Sequence, residues 1–354
     1  MNEYEILWAS WGILNYERWQ WLHESFDSLQ DAWISITSDH LAKMGFGYAK
    51  VSRLMKIKND LCLSQIVECM ENKNIILITI NDSDYPKNLA QICNPPPFLF
   101  IRGIIPSLHK TIGVVGTRQM TQYGKWMTEK LVEDLVRNQF AIISGLALGV
   151  DTCAHQTTIR AQGGTIGVLG CGVDQIYPRS NYRLAQDIIG RGGAIISEYP
   201  LGTPPMAHHF PERNRIITGL SRGVLVIEGS ERSGALITAR LALEEGRDVF
   251  AIPKSVTNGL LSGTNLLIKK GEAKLTESVN DILDEWQMKP IANKVIINFN
   301  SDEKKILSLI SKEPLSMDDL MINTSYSIAN LSNILLHLQL KQAVREVGTK
   351  WVLY

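Results

Sequence analysis

The chain is poor in cysteine. Its five cysteines, Cys62, Cys69, Cys93, Cys153 and Cys171, are odd in number and form no Cys-x-x-Cys pair. That spacing supports neither a disulfide framework nor a thiolate zinc site, and no metal is expected. No apolar run approaches the roughly 20 residues that a bilayer-crossing helix needs, so no membrane contact is expected. The first ten residues hold two glutamates and no basic segment, which argues against a secretory leader. A cytoplasmic protein with reduced thiols is the expectation. Excess charge is also missing: Lys+Arg and Asp+Glu are 36 each. That balance excludes a protein held on nucleic acid by bulk charge alone, though not a local basic groove.

The distribution of the basic residues is less even than their sum. Of 16 arginines, 12 lie between residues 105 and 285, against 7 of 20 lysines. Arginine offers a planar fork of donors that suits phosphate oxygens, although most such residues simply face water. The 354 residues, 45% apolar and 20% charged, are enough for two or three globular domains.

Residues 1–72 read as a small helical domain with Trp8, Trp11, Trp19, Trp21 and Trp33 in its core. Leu41–Lys50 reads as two helices around a glycine hairpin, either a phosphate-facing turn or a plain structural one. Residues 73–286 alternate short β-branched runs with helix-length segments. The runs are Ile75–Ile80, Ile112–Val115, Ala141–Ser144, Thr165–Leu169, Ala194–Ser197, Val224–Glu228 and Asp248–Ile252. This alternation predicts an α/β domain with a parallel sheet, in which ligands sit at the carboxyl ends of the strands. Residues 287–300 read as a linker, with Val295–Phe299 as a possible short strand. Residues 301–354 read as three helices and a hairpin turning at Gly348-Thr349, the outline of a winged helix. Its apolar stripe is Leu331, Ile334, Leu335 and Leu338. From Ser301 onward this unit has six acids and six bases, so protein contact there is at least as favoured as DNA contact.

The turns after the strands carry the chemistry. Ile112-Gly-Val-Val-Gly-Thr-Arg118 places Gly116 and Thr117 before a helix, where free N–H groups and Arg118 suit a phosphate. It is not Gly-x-Gly-x-x-Gly, and no acidic ribose partner follows, so no nicotinamide or other cofactor is expected. Ile143-Ser-Gly-Leu-Ala-Leu-Gly-Val-Asp151 precedes His155, four residues on and on the same helical face. Asp151 and His155 read as a catalytic pair or a loop brace. The brace is favoured, because no nucleophile stands at a workable spacing. Gly170–Arg179 with Asn181 is a glycine turn leading to a basic, aromatic-bearing loop. Phe210-Pro-Glu-Arg-Asn-Arg-Ile places Arg213, Asn214 and Arg215 early in a helix. Arg232–Thr238 opens another, with Ser233 as its cap. Leu261-Ser-Gly-Thr-Asn265 is a polar turn before a further helix. Each turn alone is weak. Their recurrence along one sheet suits a string of phosphates better than one small ligand.

In this order the motifs resemble the DprA/Smf family. The resemblance rests on Val-Gly-Thr-Arg118, Ser-Gly-Leu-Ala-x-Gly-x-Asp151-x-x-x-His155, Gly-Cys-Gly-Val-Asp-x-x-Tyr-Pro-Arg179, Ser-Glu-Tyr-Pro200, Phe-Pro-x-Arg-Asn-Arg215 and Arg-Ser-Gly-Ala-Leu-Ile-Thr238. Upstream, Asp84-Tyr-Pro-x-x-Leu89, Pro95-Pro-Pro-x-Leu99 and Arg102-Gly103 also match. The resemblance implies a Rossmann-like core, a SAM-like N-terminal domain and a C-terminal winged helix. It implies a non-enzymatic protein that binds single-stranded DNA, forms a homodimer and loads the RecA recombinase in natural transformation. On that basis the DNA-binding residues would be Gly116, Thr117, Arg118, Gly145, Gly149, Asp151, His155, Gly170, Arg179, Asn181, Arg213, Asn214, Arg215, Ser233, Gly234, Thr238 and Lys254. Asn265, Leu266, Ile268 and Leu275 would serve self-association.

Three positions depart from the family pattern. Leu148 stands where many members are basic, Lys254 stands where glycine is usual, and Gly271–Leu275 is one residue longer. Two other functions compete with DNA binding. A nucleotide-cleaving enzyme of related fold would need a Pro-Gly-Gly-x-Gly-Thr loop, which is absent, and would have only Glu198 and Glu228 as acids. A pure interaction scaffold would use the two terminal modules.

Overall fold

The computed structural model describes residues 2–231, 233–255, 263–291, 299–311, 313–341, 343–347 and 349–353. The chain divides into two compact units, Met1–Ile291 and Ala292–Tyr354. Arg232, Leu261, Ser262, residues 295–298 and Gly348, all singled out from the sequence, lie outside the described residues.

The first unit opens with six helices, α1 (Glu3–Trp11), α2 (Tyr16–Ser25), α3 (Leu29–Ser35), α4 (Ser38–Lys43), α5 (Tyr48–Asp60) and α6 (Leu63–Asn72). Trp8 and Trp11 are buried against the edge of Trp33, with ring centroids 5.2 and 5.5 Å away. Burying an indole strands its N–H unless it finds an acceptor. Trp8 donates to Leu29 O (3.0 Å) and Trp11 to Leu54 O (2.9 Å). The same apolar cluster takes in Ile75, Leu77, Phe98 and Phe100, so the helices pack directly on the edge of the sheet that follows.

Among the described residues that sheet has nine strands. These are β1 (Ile75–Thr79), β2 (Phe98–Gly103), β3 (Thr111–Val115), β4 (Ala141–Ser144), β5 (Thr165–Val168), β6 (Ala194–Ser197), β7 (Gly223–Val226), β8 (Asp248–Ala251) and β9 (Lys274–Leu275). The spatial order is β1-β2-β6-β5-β4-β3-β7-β8-β9. From β6 to β9 every pairing is parallel, and β1 and β2 are antiparallel additions at one edge. Strands buried on both faces read as continuous apolar runs, which is how six of the seven sequence runs reach the sheet, while the first, β1, is an antiparallel edge strand with Ile76 exposed. β2 was not among those runs. It follows Pro95-Pro96-Pro97, and prolines usually mark the end of a strand pattern.

The interstrand helices are α7 (Lys87–Ala90), α8 (Gln122–Arg137), α9 (Val150–Arg160), α10 (Tyr182–Gly190), α11 (His209–Leu220), α12 (Gly234–Glu244) and α13 (Gly263–Lys269), and α14 (Val279–Glu285) follows β9. From β3 the chain winds outward through β4, β5 and β6. Helix α11 then returns it to β7 on the other side of β3. The switch in strand order therefore falls between β3 and β7, where a doubly wound sheet opens a crevice at its carboxyl edge.

The second unit holds α15 (Ser301–Ile310), β10 (Leu315–Ser316), α16 (Met317–Thr324), α17 (Ile328–Leu340), β11 (Val344–Val347) and β12 (Lys350–Leu353), with strand order β10-β12-β11. Leu331, Leu335 and Leu338 are buried against Ile306, Leu320 and Trp351. Glu303 is buried and holds the Lys341 ammonium at 2.6 and 2.7 Å. No described helix is long and apolar enough to cross a membrane.

Candidate functional site

A cleft of about 670 Å³ lies over the switch point. Its lining includes Val115 at the end of β3 and Gly116–Arg118 after it, Ala147 and Asp151 after β4, Tyr177 after β5, Phe210, Pro211, Arg213 and Asn214 of α11, and Ser233–Ala235 and Thr238 at α12. Gly145 and Leu148 line a smaller recess shared with Arg118, Tyr177 and Phe210. A second depression holds Arg179 and Tyr182 and shares Tyr177 and Pro205 with the first.

Glycine lets the loops close on one another. A Cβ on Gly149, which has φ +79°, would meet Thr117 O at 2.3 Å, and a Cβ on Gly116 would meet Val150 Cγ2 at 2.4 Å. The first two loops are thus pressed together, with Val150 N donating to Thr117 O (3.2 Å). A Cβ on Gly170 would meet the Phe210 ring at 3.2 Å. Gly170 is therefore the floor beneath Phe210, not a wall.

The arginines separate into two kinds. Arg118 and Arg179 are exposed and make no ion pair among the described residues. The Arg118 guanidinium sits 5.7 Å from the centroid of the Phe210 ring, and Tyr177 is tilted against Phe210 at 5.5 Å. A cation and two aromatic faces therefore meet at the mouth of the cleft. Neither Phe210 nor Tyr177 is among the residues expected from sequence to touch DNA, although each stands beside a proline within a motif shared with the family.

Arg213 is a different case. It is 4% exposed, and its guanidinium donates to Gly145 O (2.8 Å), to Val168 O, and to Asn214 Oδ1 (3.2 Å). A Cβ on Gly145 would meet that guanidinium at 2.5 Å. Burial pulls Arg213 down to about 10, with Asp151 opposing the fall, so it stays charged at neutral pH. Asp151 accepts from Gly145 N (3.1 Å) and Ala147 N (3.3 Å), and burial pushes its carboxyl up against the pull of Arg213. This pair pins the ends of β4 and β5 under the cleft and leaves Arg213 little surface to offer a ligand. Arg215, two residues on, points to the far side of α11 and pairs with Glu198.

Several other selected residues also work as braces. Asn181 is buried and donates to Leu146 O (2.9 Å) and Thr152 Oγ1 (2.8 Å). Lys254 pairs with Glu228 (3.0 Å), which is 1% exposed and also accepts from Thr121 N (2.9 Å). Asn265 holds the Lys254 backbone from both sides, at 2.9 and 2.8 Å. Leu266 and Ile268 are half-buried, and Leu275 is exposed on the terminal strand β9. Gly271, which opens the Gly271–Leu275 segment, has φ +70° and open space around it. Both acids of the nucleotide-cleavage alternative, Glu198 and Glu228, are committed to these pairs. At the start of α12, Ser233 Oγ is buried without a partner among the described residues, Gly234 is exposed, and Thr238 donates back to Gly234 O (3.1 Å).

His155 lies outside the cleft and is fully buried. Its Nδ1 donates to Thr165 Oγ1 (2.8 Å), a hydroxyl that itself donates to Ile142 O (2.7 Å). It makes no hydrogen bond to Asp151, so the two brace different elements. Burial lowers its pKa from 6.5 to about 3. An unfolded imidazole takes up a proton near pH 6.5, while the folded one waits until about 3. Stability should therefore fall as pH drops below 6.5, by up to about 1.4 kcal/mol per pH unit. Urea midpoints at pH 7 and pH 5 check this. Wild type should lose about 2 kcal/mol that a His155→Gln variant retains, whereas equal losses would remove His155 as the cause.

Residues 76–287 match the family model described as DNA recombination-mediator protein A, and residues 298–348 match the DprA winged helix domain. The chain belongs to the DprA/Smf family. It is 32% identical to the protein Smf of Synechocystis, over 99% of both chains. Its fold matches the X-ray structure of DNA processing protein A from Streptococcus pneumoniae with TM-score 0.69 and 37% identity, covering 80% of this chain and 98% of that one. DNA processing protein A from Helicobacter pylori, whose structure is described in terms of its single-stranded DNA binding mode, matches with TM-score 0.54 and 30% identity over 60% of this chain and 95% of that one.

Proposed function

We propose that the cleft over the switch point binds single-stranded DNA. The observation that carries this reading is the meeting of Arg118 with the faces of Phe210 and Tyr177 at its mouth. Unpaired bases present π-faces that stack on aromatic rings, and their phosphates need cations close by. In a duplex those faces are already stacked. Arg179, exposed in the adjoining depression, extends the path for a backbone. The Helicobacter pylori relative, described by its single-stranded DNA binding mode, supports the same ligand class.

By the family resemblance, the bound strand is passed to RecA and the protein acts as a homodimer without catalysing a reaction. Exposed Leu275 on the terminal strand, with half-exposed Leu266 and Ile268 nearby, supports self-association through that edge. In this reading Arg118 and Arg179 contact phosphates, and the start of α12 offers the Gly234 N–H to a further one, the Ser233 N–H being given to Ser230 O (3.0 Å). Arg213, Asp151, Asn181 and His155 act by holding the loops. Fluorescence anisotropy with a labelled single strand and its duplex tests the proposal. Single strands should bind more tightly and with strong salt dependence. Equal affinity for both forms, or none for either, would refute it.

A further inference from the structure

A second cluster lies at the start of α11, and the DNA reading does not use it. His208, His209 and Glu212 each direct a ligand atom to one place, all within 4.8 Å of one another. We propose that these three side chains form a binding site for a divalent transition metal of the zinc class.

The spacing comes from the helix. His208 and Glu212 are four apart and His209 and Glu212 three apart, so all three share one face over a single turn. Two imidazoles and a carboxylate are a donor set suited to zinc and its neighbours, with a fourth position left for water. Calcium and magnesium require mostly oxygen ligands. Tetrahedral zinc needs ligand atoms about 3.4 Å apart. His208 and Glu212 are exposed, so their side chains can close the remaining gap.

The surroundings hold the ligands in a metal-ready state. His209 Nδ1 faces the Gly170 carbonyl at 3.2 Å, and a carbonyl can only accept, so that nitrogen carries the proton. The lone pair is then on Nε2, the free side of the ring. The Tyr199 ring stacks on His209 with centroids 4.0 Å apart, and the Tyr199 hydroxyl donates to Glu212 Oε2 (3.0 Å). One tyrosine thus orients two of the three ligands, the kind of outer support that bound metals use. Cysteine spacing, which speaks against a thiolate zinc site, does not bear on a histidine–carboxylate one. Phe210 follows His209 directly, so a bound ion would add positive charge beside the cleft.

The test uses the full chain, free of any tag, titrated with Co²⁺ and Zn²⁺. One equivalent of Co²⁺ should give ligand-field absorption without a thiolate charge-transfer band, and Zn²⁺ should displace it. Zn²⁺ should also raise the melting temperature. His208→Ala and Glu212→Gln change exposed residues and should leave the fold intact while weakening Zn²⁺ binding by more than about 10-fold. Tyr199→Phe keeps the stacked ring and should weaken binding on the order of 10-fold. Absence of binding, a thiolate band, or unchanged affinity in both ligand variants would overturn the proposal.

Discussion

An Arg213→Ala variant should lose about 3–5 kcal/mol of stability, because it removes a buried guanidinium that satisfies several acceptors at once. The side chain gives hydrogen bonds to carbonyls at the ends of two adjacent strands, Gly145 and Val168, and lies beside buried Asp151. Truncation removes a donor from each carbonyl and leaves the Asp151 carboxyl with its two backbone N–H partners, beneath the floor of the cleft. Much of a typical domain's margin is only about 5–15 kcal/mol, so the variant should be poorly folded at 37 °C. Denaturant unfolding measures the loss. A variant of unchanged stability that nonetheless fails to bind DNA would instead make Arg213 a direct contact.

The second large effect concerns the aromatic faces. Phe210→Ala and Tyr177→Ala should each weaken single-strand binding by about 1–3 kcal/mol, the range measured for base–aromatic stacking. Tyr177 is 43% exposed, and Phe210 rests on Gly170 at the rim, so their melting temperatures should stay close to wild type. Duplex affinity should hardly change, because paired bases offer no free face. Equal losses on single and double strands would mean that the rings position the loops and stack on nothing.

The strand positions were legible because parallel strands are apolar on both sides, and glycine turns mark their ends. The functions of the arginines were not legible to the same degree. Arg118, Arg213 and Arg215 sit in adjacent motifs with the same residue type, yet they face solvent, the buried loop ends and Glu198 respectively. Helix periodicity alone separates two of them, since residues two apart on α11 point about 200° apart. Asp151 and His155 share a helix face, but one turns back to the loop amides and the other reaches across to β5. Lys254 looked like an added groove charge, and what neutralises it is Glu228, 26 residues earlier on the neighbouring strand end. Long-range pairings of this kind depend on the sheet order, which local pattern does not contain.

The claim on which the account turns is that Arg118 meets a phosphate at the mouth of this cleft. The direct test is the slope of log affinity against log salt for one single strand, measured with wild type and with Arg118→Ala. Loss of one phosphate contact should weaken binding and flatten the slope by roughly 0.7. An unchanged slope, whatever the affinity, would mean that no phosphate lies against Arg118 and that the strand runs elsewhere.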